Sequence, residues 1–124
     1  MATVSGRFNN ISLTANANLT ANKFVKLSSD GEAAVVSTAG DDAIGVTLAA
    51  ADANKPVAVQ YDGIALVEAG AAIAGGSAVT SNASGKAIVA ASGNARIGYY
   101  LGSSAAASGD IISVDDRARI GCRV

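Results

Sequence analysis

An internal duplication constrains the fold of this sequence more than any other feature. Ile44-Gly45 recurs as Ile97-Gly98, and further apolar and turn positions repeat at the same offset of about 53–54 residues. Residues 19–66 and 73–118 are therefore predicted to be two copies of one unit: a hairpin, an Ile-Gly strand, a polar loop and a further strand. Glycine inside a strand pattern indicates a bulge or a close approach of another backbone segment. Two copies are too few for a solenoid, which needs three or more repeats.

Strand and turn signals dominate both copies. Apolar side chains at Val57, Val59 and Tyr61 alternate with Ala58, Gln60 and Asp62, which is the pattern of a half-buried strand. Two Asp-Gly pairs and one Ser-Gly pair separate short apolar runs and predict tight hairpins, because such turns favour residues that tolerate positive φ. These pairs are Asp30-Gly31, Asp62-Gly63 and Ser84-Gly85.

The predicted fold is mainly β with little helix, a small sandwich or barrel built from two similar halves. The length of 124 residues fits a single domain, 1–124. Packing the apolar faces of the two copies together also protects the sheet edges. Residues 1–18 are interpreted as an N-terminal arm and residues 119–124 as a C-terminal tail. These flanks either reach other subunits or are edge strands and frayed ends.

Composition and charge exclude several classes of function. The net charge of −1 gives no basic excess of the kind that nucleic-acid binders carry. The longest apolar run, residues 64–80, is broken by Glu68 and three glycines, so it does not predict a membrane span. The N-terminus lacks the basic-then-apolar pattern of a signal peptide. Half of the residues are hydrophobic but only 4% are aromatic, so a monomer buries little area per side chain.

The side chains that most enzymes use are scarce. The chain has no histidine, which removes the commonest general base, and the single Cys122 cannot build a zinc site. Neighbouring carboxylates in a strand point to opposite faces, so Asp41-Asp42 and Asp115-Asp116 are interpreted as solvated turn residues. The sequence therefore predicts a protein that is not an enzyme and needs no metal or cofactor, and that acts through binding or assembly.

Several long segments resemble the small capsid decoration, or cement, proteins of tailed bacteriophages. The segments are FVKLSSDGEAAVV, AIGVTL, KPVAVQYDGIALVEAGAAIAGGSAV and SGKAIVAASGNARIGYYLG, within residues 8–116. The resemblance implies a β-rich domain on the outer capsid surface of the virion, commonly a homotrimer at local threefold positions. Its implied partners are the major capsid protein and further copies of itself. It implies synthesis in the host cytoplasm, no cofactor and no reaction.

A carbohydrate-binding or adhesin module of a virion or tail structure is the alternative function. Such a module needs exposed aromatic side chains. Only one of the adjacent Tyr99 and Tyr100 can face outward from a strand, and the low aromatic content argues against this alternative.

The predicted contacts to other subunits or to the capsid lie in the flanking segments. Phe8 is the best candidate anchor, because a large aromatic ring can fill a pocket, while arginine forms planar hydrogen bonds to carboxylates. In the alternative interpretation, Phe8 caps the domain's own core. The candidate contact residues are Arg7, Phe8, Arg117, Arg119 and Arg123.

Overall fold

The computed structural model describes residues 9–28, 31–62 and 64–115. Within these residues the chain forms ten β-strands and no helix, which confirms the predicted mainly β fold. The strands are β1 (Asn9–Thr14), β2 (Phe24–Leu27), β3 (Ala33–Val35), β4 (Gly45–Thr47), β5 (Pro56–Asp62), β6 (Ile64–Glu68), β7 (Ala78–Ser81), β8 (Ala87–Val89), β9 (Gly98–Tyr100) and β10 (Ile111–Asp115).

The ten strands form two antiparallel sheets with the same topology. The first sheet has the order β1-β5-β4-β2-β3, and the second has the order β6-β10-β9-β7-β8. Each strand of the first half, β1–β5, therefore has one equivalent in the second half, β6–β10. This arrangement confirms the prediction of two similar halves.

The two halves also share their unusual backbone conformations. Among the described residues, eight with positive φ form four equivalent pairs, one member of each pair in each half. The pairs are Asn22 and Gly76, Gly31 and Gly85, Gly40 and Gly93, and Asn54 and Gly109. Glycine reaches this region without steric cost, and asparagine is among the few other residues that tolerate it. The duplication thus extends to individual turns.

The repeating unit begins one strand earlier than the sequence predicted. In sheet order and pairing, β1 is the equivalent of β6, since β1 pairs with β5 as β6 pairs with β10. Residues 9–18 therefore belong to the first copy and are not an arm outside the repeat. β6 opens the second copy instead of ending the first.

The hairpin predicted at Asp62-Gly63 is wrong. β5 and β6 lie in different sheets, so the connection between them carries the chain from one half to the other. The other two predicted hairpins are present. Ser28 and Glu32 close the β2–β3 turn, because the amide of Ser28 donates to the carbonyl oxygen of Glu32 at 2.7 Å. The β7–β8 turn has the equivalent bond between Asn82 and Lys86 at 2.8 Å. Gly63 itself lies outside the described residues.

Glycine within β4 and β9 allows another strand to approach closely, as predicted. A Cβ at Gly45 would collide with the carbonyl oxygen of Gln60. A Cβ at Gly98 would lie 2.5 Å from the carbonyl oxygen of Asp115, which occupies the equivalent place in the second half. The repeated glycine of the Ile-Gly pair is therefore explained by the close approach of neighbouring strands, β4 to β5 and β9 to β10.

Each sheet curls around its own apolar core. An isolated parallel bridge joins Ala15, just after β1, to Ala33 in β3, and Ala69 is joined to Ala87 in the same way. These bridges bring the two edges of each sheet together. Six buried positions are equivalent between the halves: Ala15, Leu19, Val25, Ala33, Val57 and Val59 in the first, and Ala69, Ile73, Val79, Ala87, Ile112 and Val114 in the second.

Phe24 joins the two halves. Its side chain is fully buried and packs in the core cluster of the second half, together with Val36, Ala43 and Val46 from the first half. Its backbone amide donates to the carbonyl oxygen of Gly85 at 2.7 Å. Burying a large aromatic side chain in this way is a strong source of apolar stabilisation.

A charged cluster lies at the same junction. The carboxylate of Glu68, on β6, forms ion pairs with two lysines. Its oxygens lie 2.7 Å from Nζ of Lys23 in the first half and 3.3 Å from Nζ of Lys86 in the second. The hydrogen bond from Lys23 and that from Lys86 lower the pKa of Glu68 below its ordinary value. The junction therefore combines an apolar contact with a charge-assisted one.

Candidate binding surface

The candidate contact residues predicted from the sequence lie outside the described residues. They are Arg7, Phe8, Arg117, Arg119 and Arg123. β1 begins at Asn9, directly after Phe8, and β10 ends at Asp115, two positions before Arg117. Their role in contacts with other subunits or with a capsid stays a prediction.

The acidic pairs do not form a reactive or metal-binding group within the described part of the chain. Asp41 makes a 3.3 Å ion pair with Lys26, and Asp42 accepts a hydrogen bond from the amide of Ala43 at 2.8 Å. Asp115 ends β10, and Asp116 lies outside the described residues. No group of three or more acidic, cysteine or histidine side chains occurs among the described residues.

The two adjacent tyrosines have different roles. Tyr100 packs against the core of the second half, and its hydroxyl donates to the carbonyl oxygen of Ser104 at 3.0 Å. Tyr99 lies beneath the guanidinium of Arg96, which is 5.3 Å from the ring centre. One face of the Tyr99 ring is therefore occupied by a cation, which gives no support to a sugar-stacking platform.

Four aliphatic side chains lie exposed and close together on the outer side of the second sheet. Their exposed fractions are between 39% and 54%, although large aliphatic side chains are usually buried. We call this set the apolar face: Ile64 and Leu66 of β6, Leu101 just after β9, and Ile111 of β10.

The strand register brings these four side chains together. Leu66 pairs with Ser113 of β10, and the amide of Leu101 donates to the carbonyl oxygen of the same Ser113 at 2.9 Å. Leu66 and Leu101 therefore flank Ser113 from its two sides. Successive residues of a strand alternate between the faces of a sheet, so Ile64 and Ile111 lie on this side too.

A groove adjoins the apolar face. Its volume is about 620 Å³, and its walls include Ile64, Leu101 and Ile111 together with Tyr100 and Asp110. The loop that follows β9 forms the opposite wall, where Tyr100 holds Ser104. The surface is therefore concave beside the exposed aliphatic side chains, and it can accept a protruding side chain.

The equivalent surface of the first half is less apolar. The same four positions are occupied there by Asn10, Ser12, Leu48 and Pro56, all of them exposed. Since the backbone pairing is the same in both halves, the fold itself does not require aliphatic side chains at these places. We call these four residues the equivalent face of the first half.

The sequence by itself did not reveal the apolar face. The run Ile64-Ala65-Leu66-Val67 is aliphatic on both faces of a strand, so it does not indicate which side chains are exposed. The informative signal is a comparison of β1 with β6, in which Asn10 and Ser12 stand where Ile64 and Leu66 occur. That comparison requires the repeat boundaries that the structure provides.

The two faces carry opposite charges at one margin. Asp110 lies just before β10, and its carboxylate accepts a hydrogen bond from the amide of Ala107 at 2.9 Å. The equivalent position, just before β5, holds Lys55. Both residues are exposed. The surface of the second half is therefore acidic at a place where that of the first half is basic.

The described part of the chain contains no helix long and apolar enough to cross a membrane.

Comparisons with known proteins point to phage particles. A family model described as phage cement protein matches residues 5–115. The head fiber gp8.5 N base in bacteriophage phi29 has a similar structure, with a TM-score of 0.72 and 18% sequence identity, covering 94% of this chain and 100% of the other. No curated protein sequence matches. At this identity the structural similarity establishes a shared fold.

Proposed function

Since the chain belongs to the phage cement protein family, we propose that it binds the outer surface of a phage capsid and stabilises the assembled shell without catalysing a reaction. The family match spans all of the described residues, and it confirms the resemblance to cement proteins that the sequence segments indicate. A structural protein of the virion is the function that both the family and the shared fold favour.

The apolar face is the observation in the structure that supports action through surface contact. Its four aliphatic side chains are exposed around Ser113, and the carboxylate of Asp110 lies at one margin. Clusters of exposed apolar side chains are typical of protein–protein contacts. A protein that acts by assembly, with copies of itself or with a shell, needs such surfaces and a stable fold, and it needs no reactive centre.

The proposed stabilisation follows from mass action. A protein that binds the assembled shell, and not its separated subunits, favours assembly in proportion to its concentration relative to its dissociation constant. Because one particle offers many identical sites, weak individual contacts add up to a large total stabilisation of the shell. The major capsid protein is the proposed partner, and the proposed site of synthesis is the host cytoplasm, before attachment to the shell.

A homo-oligomer, in particular a homotrimer, is the proposed form of the bound protein. Apart from Phe24, the buried side chains of both cores are aliphatic, and many of them are alanine or valine, so one copy buries little apolar area per residue. Further burial between copies would add to that limited core. A trimer also matches the local threefold positions of an icosahedral shell, which the resemblance to cement proteins implies.

Co-sedimentation with purified capsids tests the proposed function. Capsids of the encoding phage, assembled without this protein, are mixed with the purified chain and pelleted, and their heat-induced disruption is then measured. We expect the chain to pellet with capsids and to raise the disruption temperature, but not to pellet with disassembled shell protein. A chain that stays in the supernatant, or that binds without raising that temperature, contradicts the proposal.

The proposed docking role of Phe8 is tested in the same assay. Phe8→Ala is expected to reduce capsid retention and to leave the melting temperature of the free protein unchanged, because an anchor contributes only when bound. A fall in the melting temperature favours the alternative, in which Phe8 caps the core. Full retention with an unchanged melting temperature refutes both roles.

A further inference from the structure

The duplication gives one chain two outer surfaces with the same backbone. The apolar face lies on β6, β9 and β10, and the equivalent face lies on β1, β4 and β5. The junction between the halves uses other residues, among them Phe24, Val46 and Glu68. Within residues 9–28, 31–62 and 64–115, both outer surfaces therefore remain exposed for contact beyond the chain.

We propose that the apolar face receives the equivalent face of the first half of a second copy, so that copies associate head to tail. This inference rests on the homo-oligomer included in the proposed function, and it adds the surfaces that meet. It assigns the apolar face to a contact between copies of this chain rather than to the shell.

Apolar and small side chains on the first half suit the groove. Leu48 is 42% exposed, and Pro56 is exposed beside it at the start of β5. Ser12 and Ala58 are paired neighbours on the same surface, and their small side chains permit close approach. The groove beside Leu101 is concave, whereas Leu48 and Pro56 protrude from the first half of the second copy. The two surfaces are therefore complementary in shape.

The opposite charges at the margin favour pairing of unlike faces. Head-to-tail contact brings Lys55 of one copy to the surface that carries Asp110 of the next. Pairing two apolar faces would place two Asp110 carboxylates in one interface, and like charges in an interface oppose association. Charge therefore selects the head-to-tail arrangement over a symmetric one.

Contact between unlike surfaces has a geometric consequence. An interface of this kind is heterologous, so each copy can bind one neighbour through each surface. If the rotation between neighbours closes, the product is a ring with a fixed number of copies. The proposed homotrimer is one such ring.

The experiment measures the association of the full chain by sedimentation equilibrium over a concentration series. Wild-type protein is expected to form a closed oligomer. Leu66→Ser combined with Leu101→Ser should raise the dissociation constant about tenfold or more, as loss of central apolar contacts does. Val89→Ser is the matched control, because Val89 is 46% exposed on β8, away from the apolar face. It should leave association unchanged.

A double-mutant cycle tests the pairing of Lys55 with Asp110. Lys55→Glu should weaken association, because it introduces a carboxylate opposite Asp110. Asp110→Asn keeps an acceptor for the amide of Ala107 and removes the charge. In the Asp110→Asn background, Lys55→Glu should cost markedly less affinity than in the wild type. Both positions are exposed, so these variants are expected to fold, and a thermal melt verifies it.

Three results overturn the inference. The first is a wild-type chain that remains monomeric at every concentration. The second is an oligomer that the Leu66 and Leu101 substitutions do not weaken, and if these variants lose capsid retention instead, the shell covers the apolar face. The third is a penalty for Lys55→Glu that is independent of Asp110. Failure of the wild type to bind capsids, with the association results as expected, contradicts only the proposed function.

Discussion

The first and second halves share strand order, register and turns, yet they differ at the positions where each meets something other than its own core. The inward positions keep their apolar character, as Val25 and Val79 do. Phe24, in contrast, has Ala78 as its equivalent, so at this described position the first half inserts an aromatic ring into its neighbour and the second half does not. Duplication has thus preserved the folding unit, whereas the outward positions have specialised.

The same contrast occurs within one equivalent pair next to the core. Thr47 is fully buried and its hydroxyl donates to the carbonyl oxygen of Thr20 at 2.6 Å. Its equivalent, Tyr100, holds the loop after β9 through Ser104 and forms a wall of the groove. One backbone position therefore holds the segment around Thr20 in the first half and shapes a groove wall in the second.

The largest expected effect concerns the side chain that joins the halves. Phe24→Ala should lower the free energy of unfolding by about 3–5 kcal/mol, because it removes a fully buried ring and leaves a cavity. Chemical denaturation followed by circular dichroism measures the change. Leu27→Ala is the control, since Leu27 lies on the same strand but is 49% exposed. Equal losses for the two variants would refute the role of Phe24 at the junction.

The next effect tests whether the halves are equivalent at their Ile-Gly strands. Gly45→Ala and Gly98→Ala should each destabilise the protein by about 1–3 kcal/mol, because the new Cβ collides with a backbone carbonyl of the neighbouring strand. Gly31→Ala is the comparison, since it meets no atom within 4 Å and only has to adopt positive φ. Its cost should be about 1 kcal/mol. Sharply different costs at Gly45 and Gly98 would break the equivalence.

A smaller effect concerns the charged cluster at the junction. Because the hydrogen bonds from Lys23 and Lys86 lower the pKa of folded Glu68 below its ordinary value, the stabilisation is complete above the unfolded pKa and is lost as pH falls through the folded pKa. Glu68→Gln should therefore lower the melting temperature at pH 7. Below about pH 4 the melting temperatures of the wild type and the variant should converge. Glu32→Gln serves as the control. A difference that stays constant with pH would argue that Glu68 contributes nothing through its charge.

The smallest expected effect on the fold comes from exchanging one outward pair between the halves. Leu66→Ser and Ser12→Leu each give one half the residue of the other, at exposed and equivalent positions. The free energy of unfolding should change by no more than about 0.5 kcal/mol in either variant. A large loss in Leu66→Ser would mean that the apolar face stabilises the monomer itself, which would contradict its assignment to a contact between copies.

The sequence predicted those features that depend on local chemistry. The turn glycines Gly31 and Gly85 and the close approach at Gly45 and Gly98 follow from what glycine permits at a single position. The Asp62-Gly63 hairpin failed because the same local pattern also fits a connection between two sheets. Which strands become neighbours is decided by packing over long distances, which a dipeptide does not encode.

The repeat boundaries and the apolar face were missed for a related physical reason. β1 and β6 share inward apolar positions, such as Leu13 and Val67, but their outward residues differ. Similarity along the sequence is therefore weak in this strand, although the backbone pairing is the same. The role of Phe24 at the junction could not be predicted from the sequence either, because it depends on how the two halves pack against each other.

Cryo-electron microscopy of the virion is the decisive measurement of whether this chain binds the outside of the capsid. Particles assembled with and without this protein are reconstructed and their difference density is fitted with the two five-stranded sheets. We expect density for the chain on the outer surface of the capsid shell, present only when the protein is supplied. Density confined to the tail or to the inside of the shell, or no difference at all, would contradict it.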